Sequence, residues 1–93
     1  MGDKVISHID DKVVTFQGIS RDAFTRMQEE STKKGLILSA DSGEATSHGV
    51  TVKYEYHPLM KTLSIEVTDK SRWVPMSWVT AGIQSGLTDF LKG

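Results

Sequence analysis

The sequence contains no cysteine, no asparagine and only two prolines. Without cysteine there is no disulfide, no thiolate nucleophile and no cysteine-ligated zinc site. No apolar run approaches the roughly 18 residues that a membrane span requires, and the first residues lack the apolar core of a signal peptide. These features predict a soluble, cytoplasmic protein without a membrane partner.

An excess of charge of either sign is also absent. Lysine and arginine total 11 against 12 acidic residues, which gives a formal net charge of −1. Because nucleic-acid-binding proteins usually carry a concentrated basic surface, this balance argues against a nucleic-acid partner. A chain of 93 residues suits a single domain spanning residues 1–93. It is also so short that most of its apolar side chains are needed for the core.

Alternation of apolar and polar residues is clearest in the second half of the chain. Residues 50–57 and 62–68 both alternate with period two, which predicts two strands of a β-hairpin with one apolar face. A first hairpin is predicted from residues 4–9 and Val13–Gln17, with turn residues between them. The short apolar run at residues 36–40 is interpreted as a further strand.

The best-signalled helix covers residues 20–34. Ser20 is suited to cap its first turn, and Ile19 and Phe24 have the spacing of a hydrophobic staple. Its apolar stripe is narrow, which predicts a helix that lies on a core with most of its circumference in water. This stripe consists of Ala23, Phe24 and Met27.

Residues 41–49 are interpreted as a polar loop. Asp41, Glu44 and His48 are all metal-ligating types, but their spacing matches no established metal motif, so a solvated loop without metal is favoured. The element order is then ββαβββα. It predicts an α+β two-layer sandwich, in which a mostly antiparallel sheet of about five strands carries two helices on one face.

The C-terminal helix, predicted over residues 75–91, has two different faces. An arc of about 120° forms a core-facing apolar stripe made of Met76, Val79, Ile83, Leu87, Phe90 and Leu91. The far side holds Trp78 with small residues, including Gly82 and Ser85, and Gly86 lies on the flank. An interior glycine costs a helix about 1 kcal/mol relative to alanine. We therefore expect something to approach this backbone closely, either another part of the chain or a protein partner.

Two tryptophans lie at or near the start of this helix. Trp73 either plugs the end of the sheet or joins Trp78 at an interface, since tryptophan is enriched at binding hot spots. The candidate interface residues are accordingly Trp73, Trp78, Gly82 and Ser85.

Residues for catalysis are hard to assemble from this sequence. His57 follows Glu55 at the next position on the same strand face, but no third group is evident to orient the histidine as a general base. No nucleophile elbow and no phosphate-binding glycine loop occurs. The sequence thus predicts neither an enzyme nor a bound cofactor. An enzyme that uses His48, His57 or the carboxylates of residues 41–49 ranks last among the alternatives.

The leading hypothesis is a non-catalytic interaction module that binds another protein or a second copy of itself. It depends on the tryptophans and small residues of the last helix, and on the edges of a small open sheet. The alternative is a protein that binds a small apolar ligand between the sheet and the C-terminal helix, where Tyr54 and Tyr56 would orient the ligand. The short chain argues against that alternative, because a pocket takes space from the core.

Overall fold

A computed structural model of the protein describes residues 5–33, 38, 40–47 and 49–92. Its five strands form one antiparallel sheet in the order β1-β2-β5-β4-β3. The predicted α+β class and the order ββαβββα are confirmed. The elements in chain order are β1 (Ile6–Asp10), β2 (Val13–Gln17), α1 (Arg21–Lys33), β3 (Ser42–Ser47), β4 (Val50–His57), β5 (Thr62–Asp69) and α2 (Met76–Lys92).

Both predicted hairpins are present, and their turns use left-handed backbone conformations. Asp11 in the β1–β2 turn has φ of 55°, and Lys61 in the β4–β5 turn has φ of 51°. The Lys61 carbonyl oxygen accepts hydrogen bonds from the backbone N–H groups of Gly18 and Ile19, both at 2.9 Å. Gly18 itself has φ of 86°, a conformation that favours glycine. The β4–β5 turn therefore holds the chain where it leaves β2 and enters α1.

The third strand is not where the sequence placed it. Of the predicted strand at residues 36–40, residues 36, 37 and 39 lie outside the described residues, and Leu38 and Ala40 are not in a strand. The polar-loop interpretation of residues 41–49 is wrong, because most of that segment forms β3. It pairs with β4 in a continuous antiparallel register from Ser42 to Ser47.

Small inward-facing residues allow this polar segment to be a strand. Gly43 pairs directly with Tyr54 of β4, and a Cβ atom at position 43 would lie only 3.1 Å from the Tyr54 hydroxyl. The tyrosine ring thus lies against Gly43, where a larger residue would have to displace it slightly, and an aromatic ring over an edge glycine is a pairing that stabilises glycine in sheets. Ala45 is also buried, so β3 contributes small residues to the core face and polar ones to solvent.

Helix α1 begins as the sequence predicts. The Ser20 hydroxyl oxygen accepts a hydrogen bond from the Ala23 backbone N–H at 3.2 Å, which is the expected N-cap. Ile19 and Phe24 are both fully buried, and Met27 is buried one turn later. The Phe24 ring stacks on Tyr56 of β4, with ring centroids 4.3 Å apart. This stacking fixes α1 on the sheet.

Helix α2 packs over β1 and β2 at one side of the sheet. The Gln84 side-chain amide donates a hydrogen bond to the Ser7 hydroxyl at 2.8 Å. Thr80 is only 2% exposed, and its hydroxyl donates to the carbonyl oxygen of Met76. The predicted core stripe faces inward but is only half-buried at the four positions whose side chains are described, namely Met76, Val79, Ile83 and Leu87. Beside the stripe, Thr80 is more deeply buried than any of these four residues, and Gln84 bonds to β1.

The two helices share one face of the sheet, and the opposite face is polar, as predicted. Along β4 the buried Tyr54 and Tyr56 alternate with the exposed Lys53, Glu55 and His57. In the part of the chain that the structure describes, no helix is both long and apolar enough to cross a membrane.

Candidate binding cavity between the helices

A cavity of about 570 Å³ lies between α1, α2 and the core face of the sheet. All three elements contribute to its lining, and nearly all of the lining side chains are apolar. The lining residues are Phe24, Met27, Glu30, Ser31, Leu38, Ala45, Val50, Val52, Tyr54, Leu63, Ile65, Trp78, Val79, Gly82, Ile83, Gly86 and Leu87.

The floor of the cavity is formed by β3, β4 and β5. Val52 and Tyr54 lie on the core face of β4 because side chains alternate between the two faces of a strand. Their partners across the ladder on β5 are Val67 and Ile65, so the core face is apolar across adjacent strands. The cavity exists over this half of the sheet because α2 packs over β1 and β2 instead. The apolar strand residues in this half of the sheet are therefore not covered by α2, and they form the floor of the cavity.

One wall of the cavity is the inner face of α1. Phe24, Met27 and Ser31 follow one another at helical spacing and line the cavity together with Glu30. Glu30 is the one residue with a formal charge at neutral pH in the lining that the structure describes. Its carboxylate lies 3.3 Å from the ammonium nitrogen of Lys33, one turn further along. The α1 wall is therefore apolar at its centre and acidic towards the end of the helix.

The facing wall is α2, where the small residues lie. A Cβ atom added at Gly82 or at Gly86 would meet no heavy atom within 4 Å. Close packing of the described chain against these glycines, one of the two alternatives from the sequence, is therefore wrong. The missing side chains instead widen the cavity. Trp78 lines the same wall and is 72% exposed.

A second group of side chains supports the α1 wall from behind. Arg21 donates two hydrogen bonds of 2.7 Å to the two carboxylate oxygens of Asp41. Its guanidinium carbon also lies 5.1 Å from the centre of the Tyr56 ring, and the Tyr56 hydroxyl donates to the Ile19 carbonyl oxygen at 2.6 Å. Because Tyr56 stacks on Phe24, this cluster fixes a ring that lines the cavity.

Hydrogen bonding and burial shift the pKa values of three groups in this cluster. The hydrogen bonds from Arg21 lower the pKa of the Asp41 carboxyl below its ordinary value. The same hydrogen bonds raise the pKa of Arg21. Burial raises the pKa of Tyr56, so its hydroxyl stays protonated and keeps donating to Ile19. The shifts are explained by an ion pair and a buried hydrogen bond that stabilise the fold. None of the three groups lines the cavity.

The structure brings together part of the residue set singled out in the sequence. Tyr54, Trp78 and Gly82 line the cavity. Tyr56 does not line it, because its ring and hydroxyl are engaged with α1 and the chain leading into it. Ser85 is exposed on α2 outside the lining.

The idea that Trp73 plugs the end of the sheet is wrong. Trp73 lies in the turn before α2 and is 87% exposed.

The α1 side of the cavity was not anticipated from the sequence. The sequence places Met27 in the apolar stripe and predicts water around most of the helix, yet Met27, Glu30 and Ser31 all line the cavity. Their spacing carries a weak signal, since residues 27, 30 and 31 lie on one helix face. That face can be recognised as a wall only when the position of α2 is known.

The residues considered for metal binding or catalysis are dispersed. Asp41 is paired with Arg21, Glu44 is exposed on β3, and His48 lies outside the described residues. Within residues 5–33, 38, 40–47 and 49–92, no three histidine, aspartate or glutamate side chains are grouped so as to hold a metal ion. His57 lies 3.1 Å from the Glu55 carboxylate on the exposed face of the sheet, away from the cavity.

The polar face of the sheet carries a second depression, of about 610 Å³, whose lining is mostly polar or charged. Lys53 of β4 pairs with Glu44 of β3 on one side and with Glu66 of β5 on the other. Lys12 adds a contact of 3.3 Å to the Glu66 carboxylate. Opposite charges on neighbouring strands stabilise a sheet, so this ladder needs no ligand to explain it. The apolar cavity is therefore the better candidate for a binding site.

Comparison with known proteins adds no further constraint. No family model, curated protein or solved structure matches this chain.

Proposed function

We propose that the protein binds a small apolar molecule, without chemical change, in the cavity between α1, α2 and the sheet. The observation that carries this proposal is the combination of a volume of about 570 Å³ with a lining in which Glu30 is the one formally charged residue described. Cavities that bind small molecules typically measure about 300–1,000 Å³ and are lined mainly by apolar side chains. A cytoplasmic location is part of the same proposal.

The glycines of α2 support the proposal. Gly82 and Gly86 weaken the helix by about 1 kcal/mol each relative to alanine, and no described part of the chain packs against them. Since both line the cavity, their lack of side chains benefits an occupant. Contact with a ligand would explain why glycine occurs at these two positions, since no contact within the described chain explains it.

The two tryptophans allow a direct test. In a Trp73→Phe variant, Trp78 is the single remaining tryptophan and lines the cavity. Titration with decanol should change its fluorescence in a saturable way, because the ligand removes water from the indole. A Trp78→Phe variant retains Trp73, which is exposed outside the lining, and should show no saturable change. Absence of a saturable response in the first variant, or an equal response in both, would contradict the proposal.

We propose self-association through α2 as a second candidate function, and one observation favours it. Trp73 and Trp78 are 87% and 72% exposed, and they lie close together in the chain at the start of α2. Exposed tryptophans are typical anchors of protein interfaces. Light scattering coupled to size-exclusion chromatography should then give a dimer for the wild type and a monomer for Trp78→Ala. A wild-type monomer of 10.3 kDa at high concentration would rule this candidate out.

A further inference from the structure

We infer that the cavity selects an apolar amine, whose hydrocarbon body lies in the cavity and whose ammonium group lies beside Glu30. This inference rests on the proposed function and adds the chemical class of the ligand. Three features of the described residues support it: the charge of the lining, the direction of α1, and the aromatic side chain on the facing wall.

The first feature is the sign of the charge. Glu30 is acidic, and no lysine, arginine or histidine is part of the described lining. A ligand with a carboxylate, such as a fatty acid, would bring a second negative charge into a cavity whose described lining contains no cation. An ammonium group would instead form an ion pair with Glu30. In the unliganded protein Lys33 fills this role from outside the lining, at 3.3 Å and with 72% of its side chain exposed.

The second feature is the position of this carboxylate in the helix. Glu30 and Ser31 belong to the last turn of α1, which ends at Lys33. The last carbonyl groups of a helix have no partner within the helix and carry partial negative charge, which favours a cation near the C-terminus. The field of α1 therefore adds to the charge of Glu30 at the same end of the cavity.

The third feature is Trp78 on the facing α2 wall. Its indole lines the cavity but is mostly exposed, so it lies at the border between the cavity and solvent. The face of an indole attracts cations and prefers an organic ammonium group to an anion. An acidic group and an aromatic group thus both belong to a lining that is otherwise almost entirely apolar.

The test compares three ligands that differ only in the head group: decylamine, decanol and decanoate. Affinities are measured at pH 7 from the fluorescence of the Trp73→Phe protein. We expect decylamine to bind about two- to fivefold more tightly than decanol, the size of effect typical of a partly exposed ion pair. Decanoate should bind more weakly than decanol.

Two substitutions then test the role of Glu30. In Glu30→Gln the preference for decylamine over decanol should disappear. Glu29→Gln removes the same charge from an exposed position outside the lining and should retain the preference. Circular dichroism melting curves of both variants check that the fold is unchanged.

The outcomes separate this inference from the proposed function. If the three ligands bind equally, or if Glu30→Gln keeps the preference, the amine inference is wrong while the apolar site stands. If none of them binds to the wild type, both are wrong. If decanoate binds most tightly, the amine inference is wrong and Lys33, beside Glu30, is the nearest described cation to hold the carboxylate.

Discussion

The two helices of this protein contradict what their compositions suggest. Helix α1 is the more polar of the two, yet it buries Phe24 completely and Met27 almost completely. Helix α2 is richer in apolar residues, but among its described side chains only Thr80 is buried. An amphipathic pattern therefore identifies the inward face of a helix without fixing how closely that face approaches the sheet.

The difference has a physical origin in what each helix contacts. Helix α1 is held by an aromatic stack on Tyr56 and by an N-cap, both close to its first turn. Helix α2 is held over β1 and β2, where Gln84 bonds to Ser7. The apolar stripe of α2 is thus only half-buried where its side chains are described, with Ile83 and Leu87 packed at the margin of the core and bordering the space between the helices. The cavity results from that placement, and the following predictions test it from the largest expected effect to the smallest.

Truncating one apolar side chain on each helix gives the largest expected contrast. Phe24→Ala should lower the free energy of unfolding by about 3–5 kcal/mol, because it removes a fully buried ring. Leu87→Ala on α2 should cost only about 1 kcal/mol, because Leu87 is half-buried beside the cavity. Urea denaturation followed by circular dichroism measures both values. Equal costs would mean that α2 packs as closely as α1. If Phe24→Ala does not fold, the milder Phe24→Leu keeps the comparison possible.

Loss of the hydrogen bond from Tyr56 to Ile19 should have the next largest effect on the free energy of unfolding. Tyr56→Phe keeps the ring that stacks on Phe24 but removes the hydroxyl that donates to Ile19. Leaving that carbonyl oxygen without its donor should cost about 1–3 kcal/mol. The same urea measurement tests it, with a nuclear magnetic resonance spectrum to show that the stack is retained. An unchanged free energy of unfolding would show that this bond does not hold α1 in place.

The glycines of α2 should respond in the opposite direction. Gly82→Ala and Gly86→Ala should each raise the free energy of unfolding by about 0.5–1 kcal/mol, because alanine favours the helix and its methyl group meets no neighbour. Gly43→Ala in β3 is the control and should bring no such gain, since its Cβ would lie 3.1 Å from the Tyr54 hydroxyl. Loss of stability at positions 82 and 86 would show that this side of α2 is closely packed.

The smallest effect concerns the exposed ion pair between Arg21 and Asp41. Because the pKa of Asp41 is lowered in the folded protein, the pair stabilises the fold above the ordinary aspartate pKa. That stabilisation is lost as pH falls through the lowered value. Asp41→Asn should therefore melt below the wild type at pH 7, and the two melting temperatures should converge in acid. A difference that persists at the lowest pH would mean that charge is not the cause.

Local signals made most of the fold predictable. The period-two alternation of β4 and β5 and the cap at Ser20 depend on neighbouring residues, and the structure confirms both. Strand β3 could not be recognised in this way, because Gly43 and Ala45 face inward and its other residues are polar. An edge strand needs apolar side chains on its core face when a helix or another large element packs against that face. Here the Tyr54 ring from the neighbouring strand covers Gly43 instead.

The candidate site was predictable only in part. The face of α2 that combines a tryptophan with small residues indicates Trp78 and Gly82, and both of them line the cavity. The contribution of Glu30 could not be foreseen, because it depends on how far apart the two helices lie. That distance is set by long-range contacts such as the bond between Gln84 and Ser7, which are separated by 77 positions in the chain. Patterns within one helix contain no information about such contacts.

The most direct test of the cavity as a binding site is to fill it from the protein side. Gly86→Leu places an apolar side chain into open space on the cavity wall, whereas Ser85→Leu adds a similar group on α2 outside the lining. Decanol affinity is compared by calorimetric titration of the two variants and the wild type. We predict that Gly86→Leu weakens binding at least about tenfold, equivalent to excluding about two methylene groups, and that Ser85→Leu binds as the wild type does. Equal affinities in all three proteins would contradict the account.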